Sequence, residues 1–131
     1  MSFIKFKPLT PAMNFKEIID IKDVDKEIIK FIKKDEEIYC VLRAVRDIGI
    51  LTNRRIIMID YKGVRGFRKK IYSIMYSSIS NYNLEVKNLD TIIEMTLDSG
   101  YQLILSFYKP IPLEDMFKIY NYIDNKILEK S

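Results

Sequence analysis

The 131-residue chain contains no histidine and no tryptophan, and only one cysteine, four glycines and four prolines. Without histidine there is no imidazole to act as general base or metal ligand. A single thiol, Cys40, can neither close an internal disulfide nor build a thiolate metal site. It lies in an apolar strand pattern, which reads as a buried thiol rather than a nucleophile and fits a reducing compartment. Gly63-Val64-Arg65-Gly66 lacks the strand–loop–helix setting of a phosphate-cradling loop. Carboxylates are plentiful, but no spacing singles out a catalytic pair. An enzyme is therefore the weakest reading, and the sequence implies no metal, no cofactor and no small-molecule substrate. Long hydrophobic runs are missing too. The longest uncharged stretch, Ile71 to Leu84, has 14 residues and is rich in Ser, Tyr and Asn, where a membrane-spanning helix needs about 20 predominantly apolar ones. The opening MSFIKFKPLT has lysines at 5 and 7 and no apolar core of signal-peptide length. The expected location is the cytoplasm.

What is present is enough apolar residue, 48%, to pack one core in a single domain spanning residues 1–131. The net charge of +4 is unevenly spread. Residues 43–70 hold nine basic side chains against Asp47 and Asp60, and the remainder of the chain is net acidic. Such a segment attracts anions, unless its charges are the solvated faces of edge strands, which use Lys and Arg against aggregation.

Periodicity divides the chain. Residues 1–13 read as a lead-in arm. Asn14 and Glu17 have the spacing of a helix-capping pair. Phe15, Ile18 and Ile19, then Ile21, Val24, Ile28, Phe31 and Ile32, recur at helical intervals. The spacing predicts a helical extension over 14–34, as one broken helix or two short ones. From Glu37 the period changes to two. Seven strands at short intervals fill 37–108, with turns at Asp47-Ile48-Gly49, Asn53, Lys62-Gly63 with Gly66, and Ser99-Gly100, and a bend at Tyr76-Ser77-Ser78. This is the pattern of a mainly β fold, a barrel or sandwich. After Pro110 and Pro112, Leu113, Met116, Phe117, Tyr120, Ile123 and Ile127 form the apolar stripe of a helix over 113–129. Glu114 and Asp115 in its first turn and Lys126 in its last suit the helix dipole. That stripe must cover something, and the open end of a small barrel is the natural place.

The segments EEIYCVLRAVRD (36–47), ILTNRRIIMID (50–60), the pair Gly63 and Gly66, YSSI (76–79) and the helix after Pro112 carry a resemblance to the short bacterial pleckstrin-homology (PH) domain proteins. The resemblance implies a PH-like seven-stranded antiparallel barrel, here with an N-terminal helical extension and a C-terminal capping helix. It implies a non-enzymatic interaction module, of a kind that self-associates, with an undefined binding partner. One departure is Met75, where the family pattern often has proline.

Three binding classes follow. Inositol-phosphate-binding PH domains are alike in a long basic loop between the first two strands; here that link is Arg46 to Ile48 with an acid inside it, so that pocket is not expected. A candidate anion site is instead Lys62, Arg65, Arg68, Lys69 and Lys70, with Phe67 as an apolar tip, facing an anionic membrane surface. Strand alternation sends Arg68 and Lys70 to one side and Lys69 to the other. Nucleic acid is a lesser alternative, through stacking on Phe67, Tyr72 and Tyr76 beside Arg68. The remaining class is a homo-oligomer built by pairing of strand edges in the Tyr- and Ile-rich stretch Ile71 to Tyr82. The Thr52-Asn53-Arg54-Arg55 turn reads as a structural element, with its arginines paired to Asp47 or Asp60.

Overall fold

Alternating and β-branched apolar segments are realised as strand throughout the centre of the chain. The structure is a computed structural model that describes residues 7–8, 13–65, 67–88 and 90–129. Its elements run β1 (Lys7–Pro8), β2 (Met13–Phe15), β3 (Glu17–Ile19), α1 (Lys26–Ile29), β4 (Ile38–Arg43), β5 (Ile48–Thr52), β6 (Arg55–Lys62), β7 (Arg68–Met75), β8 (Ile79–Val86), β9 (Asp90–Leu97), β10 (Tyr101–Tyr108) and α2 (Leu113–Leu128). The seven strands expected from the sequence are β4 to β10.

They form two sheets rather than a closed barrel. The first has the antiparallel order β3-β4-β5-β6-β7. In the second, β8, β9 and β10 are antiparallel, and β1 and β2 add in parallel to the free side of β10. A 3-10 turn at Tyr76–Ser78 carries the chain from β7 to β8, at the bend expected there. Gly66 and residues 1–6 and 9–12 of the lead-in arm lie outside the described residues.

The helical extension over 14–34 is overturned. Asn14 and Glu17 are not a capping pair but lie within strands β2 and β3. The reason is tertiary. β10 and β4 each offer an unpaired edge, and backbone pairing there outweighs a local helical pattern. Met13 and Phe15 are buried and Asn14 between them is exposed, the alternation of a strand. Only one helical turn, α1, survives, preceded by a 3-10 turn at Ile21–Asp23 whose start is capped by the Asp20 side chain.

Part of the apolar stripe of the extension nevertheless covers the sheet, while Ile18 and Phe31 of that stripe are exposed. Val24 and Ile28 are buried with Ile19, Ile21 and Ile32 against Val41, Ile48, Ile50, Ile57 and Ile59, on the outer face of the first sheet. The inner face of that sheet, with Leu42, Leu51, Ile56 and Met58, meets the second sheet in the main core. Both faces of β5 and β6 are thus covered, which is why Ile48–Thr52 and 56–60 are buried without alternation. A register shift between Ile38 and Cys40 moves Ile38 to the outer cluster, away from Cys40 and Leu42.

Helix α2 packs on the main core through Met116, Ile119 and Ile123 and touches β9 and the Tyr76–Ser78 turn. The expected stripe was rotated by part of a turn. Phe117 is 42% exposed and Leu113 is exposed, while Ile119 points inward. Phe117 and Ile119 flank the same stripe, so periodicity alone does not choose between them. Tyr122 stacks on Tyr39 of β4, and the Tyr82 hydroxyl of β8 donates to Asp124, so α2 grips both sheets.

Phe15 joins the arm to the core. Its ring lies 5.7 Å from that of Phe107, and it sits over Gly49, where an added Cβ would come within 2.7 Å of Phe15 Cζ. Gly49→Ala is therefore expected to destabilise the protein by about 1–3 kcal/mol through overpacking, with part of the loss recovered in Gly49→Ala/Phe15→Leu. Urea denaturation of the three proteins checks both effects.

Candidate functional site

The Thr52-Asn53-Arg54-Arg55 turn between β5 and β6 is matched side chain by side chain to Asp35-Glu36-Glu37. Glu36 is buried, its side chain only 1% exposed. It accepts from Thr52 Oγ1 at 2.6 Å, Arg55 Nε at 2.9 Å, Arg55 Nη2 at 3.0 Å and the Lys33 backbone N–H at 3.1 Å. Arg55 also donates to the Phe31 carbonyl at 2.7 Å and to Ser73 Oγ at 3.0 Å. Asn53 exchanges two bonds with Glu37, accepting from its N–H at 2.8 Å and donating to its carbonyl at 2.9 Å. Arg54 pairs with Asp35. Tyr76 donates to the Thr52 carbonyl at 2.6 Å. The expected partners Asp47 and Asp60 are corrected. Asp47 accepts from the Tyr61 backbone N–H, and Asp60 lies 3.8 Å from Lys62. The motif is a structural clamp, with its groups consumed inside the fold.

The basic hairpin is different. Gly63, at φ +84°, turns β6 into β7. The five residues of the candidate site do not form one cluster. Lys62 is close to Asp60, and Lys69 is held 3.6 Å from both Asp25 and Glu27 on the outer face of the sheet. Lys70 lies 5.3 Å over the Tyr72 ring. Arg65 and Arg68 are exposed, with no carboxylate partner among the described residues. A third arginine, absent from the sequence-based set, joins them. Arg46, in the four-residue turn between β4 and β5, donates to the Gly63 carbonyl at 2.6 Å and latches the two turns together. Its only sequence signal was a basic residue in a tight turn. The latched end carries three apolar side chains in water: Val45 at 79% exposure, Phe67 at 81% and Val64 fully exposed. Beside it lies an open concavity of about 530 Å³ lined by Arg46, Arg65, Phe67, Tyr61 and Lys69 with Asp25 and Glu27.

The aromatic platform expected for nucleic acid is not assembled. Tyr76 is buried and hydrogen-bonded, and Tyr72 packs partly into the core, which leaves Phe67 alone at the surface. Burial pushes the Cys40 thiol up to about 12, so it stays protonated and poorly nucleophilic. Among the described residues no helix is long and apolar enough to cross a membrane.

Residues 10–126 match the family model described as a bacterial PH domain. The chain belongs to the bacterial PH-domain family. It is similar to the uncharacterized protein YjqA of Bacillus subtilis, 31% identical over 83 residues, which are 63% of this chain and 62% of that protein. The chain thus matches less than two thirds of the length of that relative. Two solved structures share the fold. One is a DUF1696 family protein with a pleckstrin-homology domain from Shewanella loihica, with TM-score 0.74, 21% identity, and coverage of 88% of this chain and 99% of that one. The other is a PH-domain-containing bacterial protein from Exiguobacterium sibiricum, with TM-score 0.66, 17% identity, and coverage of 87% and 62%. PH domains are generally non-catalytic interaction modules. In this PH domain the link between the first two of the seven central strands, β4 and β5, is closed by a backbone bond from Ala44 N–H to Asp47 C=O at 2.9 Å. It has no room for a long basic loop.

The Glu36 clamp has a pH signature. The Arg55 hydrogen bond, acting against desolvation, lowers the Glu36 carboxyl from 4.5 to about 2. A depressed carboxyl contributes stability in full above its unfolded value, and the contribution is lost as pH falls from about 4.5 toward 2. The contribution at neutral pH is about 2–3 kcal/mol. Glu36→Gln should therefore be markedly less stable than the native chain at pH 7, with the gap closing as pH approaches 2. Urea midpoints measured across that range check it.

Proposed function

We propose that this PH domain is a non-catalytic, cytoplasmic interaction module that recognises an anionic partner through the latched β4–β5 and β6–β7 turns. The observation that carries the reading is the set of three arginines at that end. Arg46 is tied by one bond to the Gly63 carbonyl, and Arg65 and Arg68 have no acidic partner among the described residues. Elsewhere in the basic segment Arg43, Arg54, Arg55, Lys62 and Lys69 are paired with carboxylates. Fixed positive charge left unneutralised at one end of a small domain attracts anions, with an affinity that falls as salt screens it.

Near an anionic surface each basic side chain is worth about 1 kcal/mol. Arg65→Glu/Arg68→Glu should therefore lose at least about tenfold in affinity for heparin and for anionic liposomes. Native binding should weaken from low to physiological salt and be absent on neutral liposomes. Unchanged binding in the double variant rejects the site.

A second reading, self-association, is favoured by β8. It is the eight-residue edge of its sheet and carries one charge, Glu85. A long edge with so little charge is open to strand pairing with a second copy. Light scattering over a range of concentrations should show an oligomer that Asn83→Lys, on an exposed position of that edge, shifts toward monomer. A native chain that stays monomeric at high concentration removes this reading.

A further inference from the structure

We infer that the cleft beside the first turn of α2 binds a small neutral phenol, a single aromatic ring whose hydroxyl bonds to Thr91. None of the residues lining this cleft belongs to the latched turns, so it is independent of the anionic-partner reading. The site begins with the inner row of the second sheet. In β9, Thr91, Ile93, Met95 and Leu97 alternate inward and all four are buried. Three are apolar and join the main core. The fourth, Thr91, is 4% exposed and lies opposite Val86 on one side and Phe107 on the other. Valine would have the same shape there, with no hydroxyl to take out of water. Elsewhere in the fold the buried Thr52 donates to the buried Glu36. The Thr91 hydroxyl has no partner among the described residues. No sealed side-chain polar atom of those residues lacks a partner. This hydroxyl is therefore open, and the opening that Thr91 lines is the cleft.

Size and lining select the ligand. The cleft has a volume of about 160 Å³, close to the roughly 150 Å³ of an apolar cavity that accepts benzene. Phe107, Ile111 and Met116 wall it and are buried, while Val86 and Leu113 form its exposed edge. A ring suits that lining better than an aliphatic group. Aromatic pairs gain energy beyond the area they bury, and a thioether makes favourable contacts with ring edges. The walls are held in place before anything binds. The Lys87 N–H donates to the Asp90 carbonyl at 2.9 Å and closes the β8–β9 turn, and the Ile111 N–H donates to the Tyr108 carbonyl at 3.0 Å and fixes the turn after β10. Less ordering therefore remains to be done on binding. Charge at the mouth selects a neutral molecule. Lys87 lies 3.2 Å from Glu85, and Glu114, in the first turn of α2, lies 3.5 Å from Lys118. Lys109 and Asp90 have no ion pair among the described residues and are opposite in sign. The mouth thus has no excess charge for a carboxylate or an amine. A polar group is needed only at the inner end, where a phenol hydroxyl can donate to Thr91 Oγ1 or accept from it.

The methyl resonances of Ile111 and Met116 in the isotope-labelled full-length chain report the site directly. Phenol should shift them saturably. Toluene, equal in size and without the hydroxyl, gives the affinity due to the ring alone. In Thr91→Val, which keeps the side-chain shape and is first checked for a native-like thermal transition, the ratio of phenol to toluene affinity should fall about tenfold. N-acetyl-tyrosinamide carries the same ring as a protein side chain and separates the two sources of a phenol. Binding weaker than that of phenol supports a free ligand, and tighter binding overturns it in favour of a partner's tyrosine. Absence of saturable shifts at Ile111 and Met116 in the native chain, or a phenol-to-toluene ratio unchanged in Thr91→Val, overturns the site. Either result leaves the anionic-partner reading, which is tested with heparin and liposomes, where it stood.

Discussion

A carboxylate taken out of water is stable in a fold only if donors replace its hydration. Glu36 meets that condition with two bonds from Arg55 and one each from Thr52 and Lys33. The constraint spreads outward. Arg55 lies in β6 and reaches Phe31 before β4 and Ser73 in β7, so one guanidinium spans three parts of the first sheet and its covering segment. Thr52, which completes the Glu36 cage, accepts from Tyr76 through its carbonyl, and Tyr76 starts the turn into the second sheet. α2 packs against that same turn. Without the Glu36–Arg55 pair, the segment before β4, the β5–β6 turn and the passage between the sheets would each lose a partner. The geometry of the pair is bidentate, which gives direction as well as attraction.

The second organising feature is that the first sheet has no bare face. A sheet solvated on one side shows alternation, and one buried on both sides shows continuous apolar runs. The run Ile56-Ile57-Met58-Ile59 is of the second kind because the stretch from Ile19 to Ile32 wraps its outer side. The N-terminal arm contributes at two edges. β2 extends one sheet and β3 extends the other, and only Lys16 separates them. Phe15, at the end of β2, is driven inward over Gly49. The arm therefore stitches together two sheets that share no ladder among the described residues, a function unlike that of a freely appended helix.

How much of this was legible follows from the range of the interactions. The seven central strands and the last helix were readable because their signals are local: alternation in β9 and β10, runs of β-branched residues between turn residues in β5 and β6, and a helical period in α2. β2 and β3 were not, because three-residue strands carry no periodic signal of their own. Their conformation is imposed by edges more than 20 residues away, as in the Glu17–Arg43 and Phe15–Phe107 pairings. Val24 and Ile28 of the extension were correctly marked for burial, but Ile18 and Phe31 of the same stripe are exposed and the backbone form was misread. The arginines of the β5–β6 turn were rightly taken as structural, but their partners were sought in nearby turns. Sequence shows that Asp35-Glu36-Glu37 is acidic. It does not show that β4–β5 pairing brings this run against residues 52–55. The same limit hid Arg46, whose relevance depends on a bond to Gly63, 17 residues on.

Those pairings also explain why charge counting over a segment is a poor guide to a surface. The excess of basic residues over 43–70 looks like one binding stretch. In three dimensions most of it is spent. Arg43 joins β4 to Glu17 in β3, Arg54 and Arg55 clamp the acidic run, and Lys69 holds the 25–27 segment to β7. Each of these ties an acid of the N-terminal third to the first sheet or its turns. Much of the basic excess of the segment is therefore used in ion pairs that hold the N-terminal cover to the first sheet. Among the described residues the arginines at the turns form no ion pair with that cover. Asp25 and Glu27 of the wrapping segment line the same concavity as Arg46 and Arg65, but among the described residues their ion pairs and hydrogen bonds go to Lys69 and Tyr61.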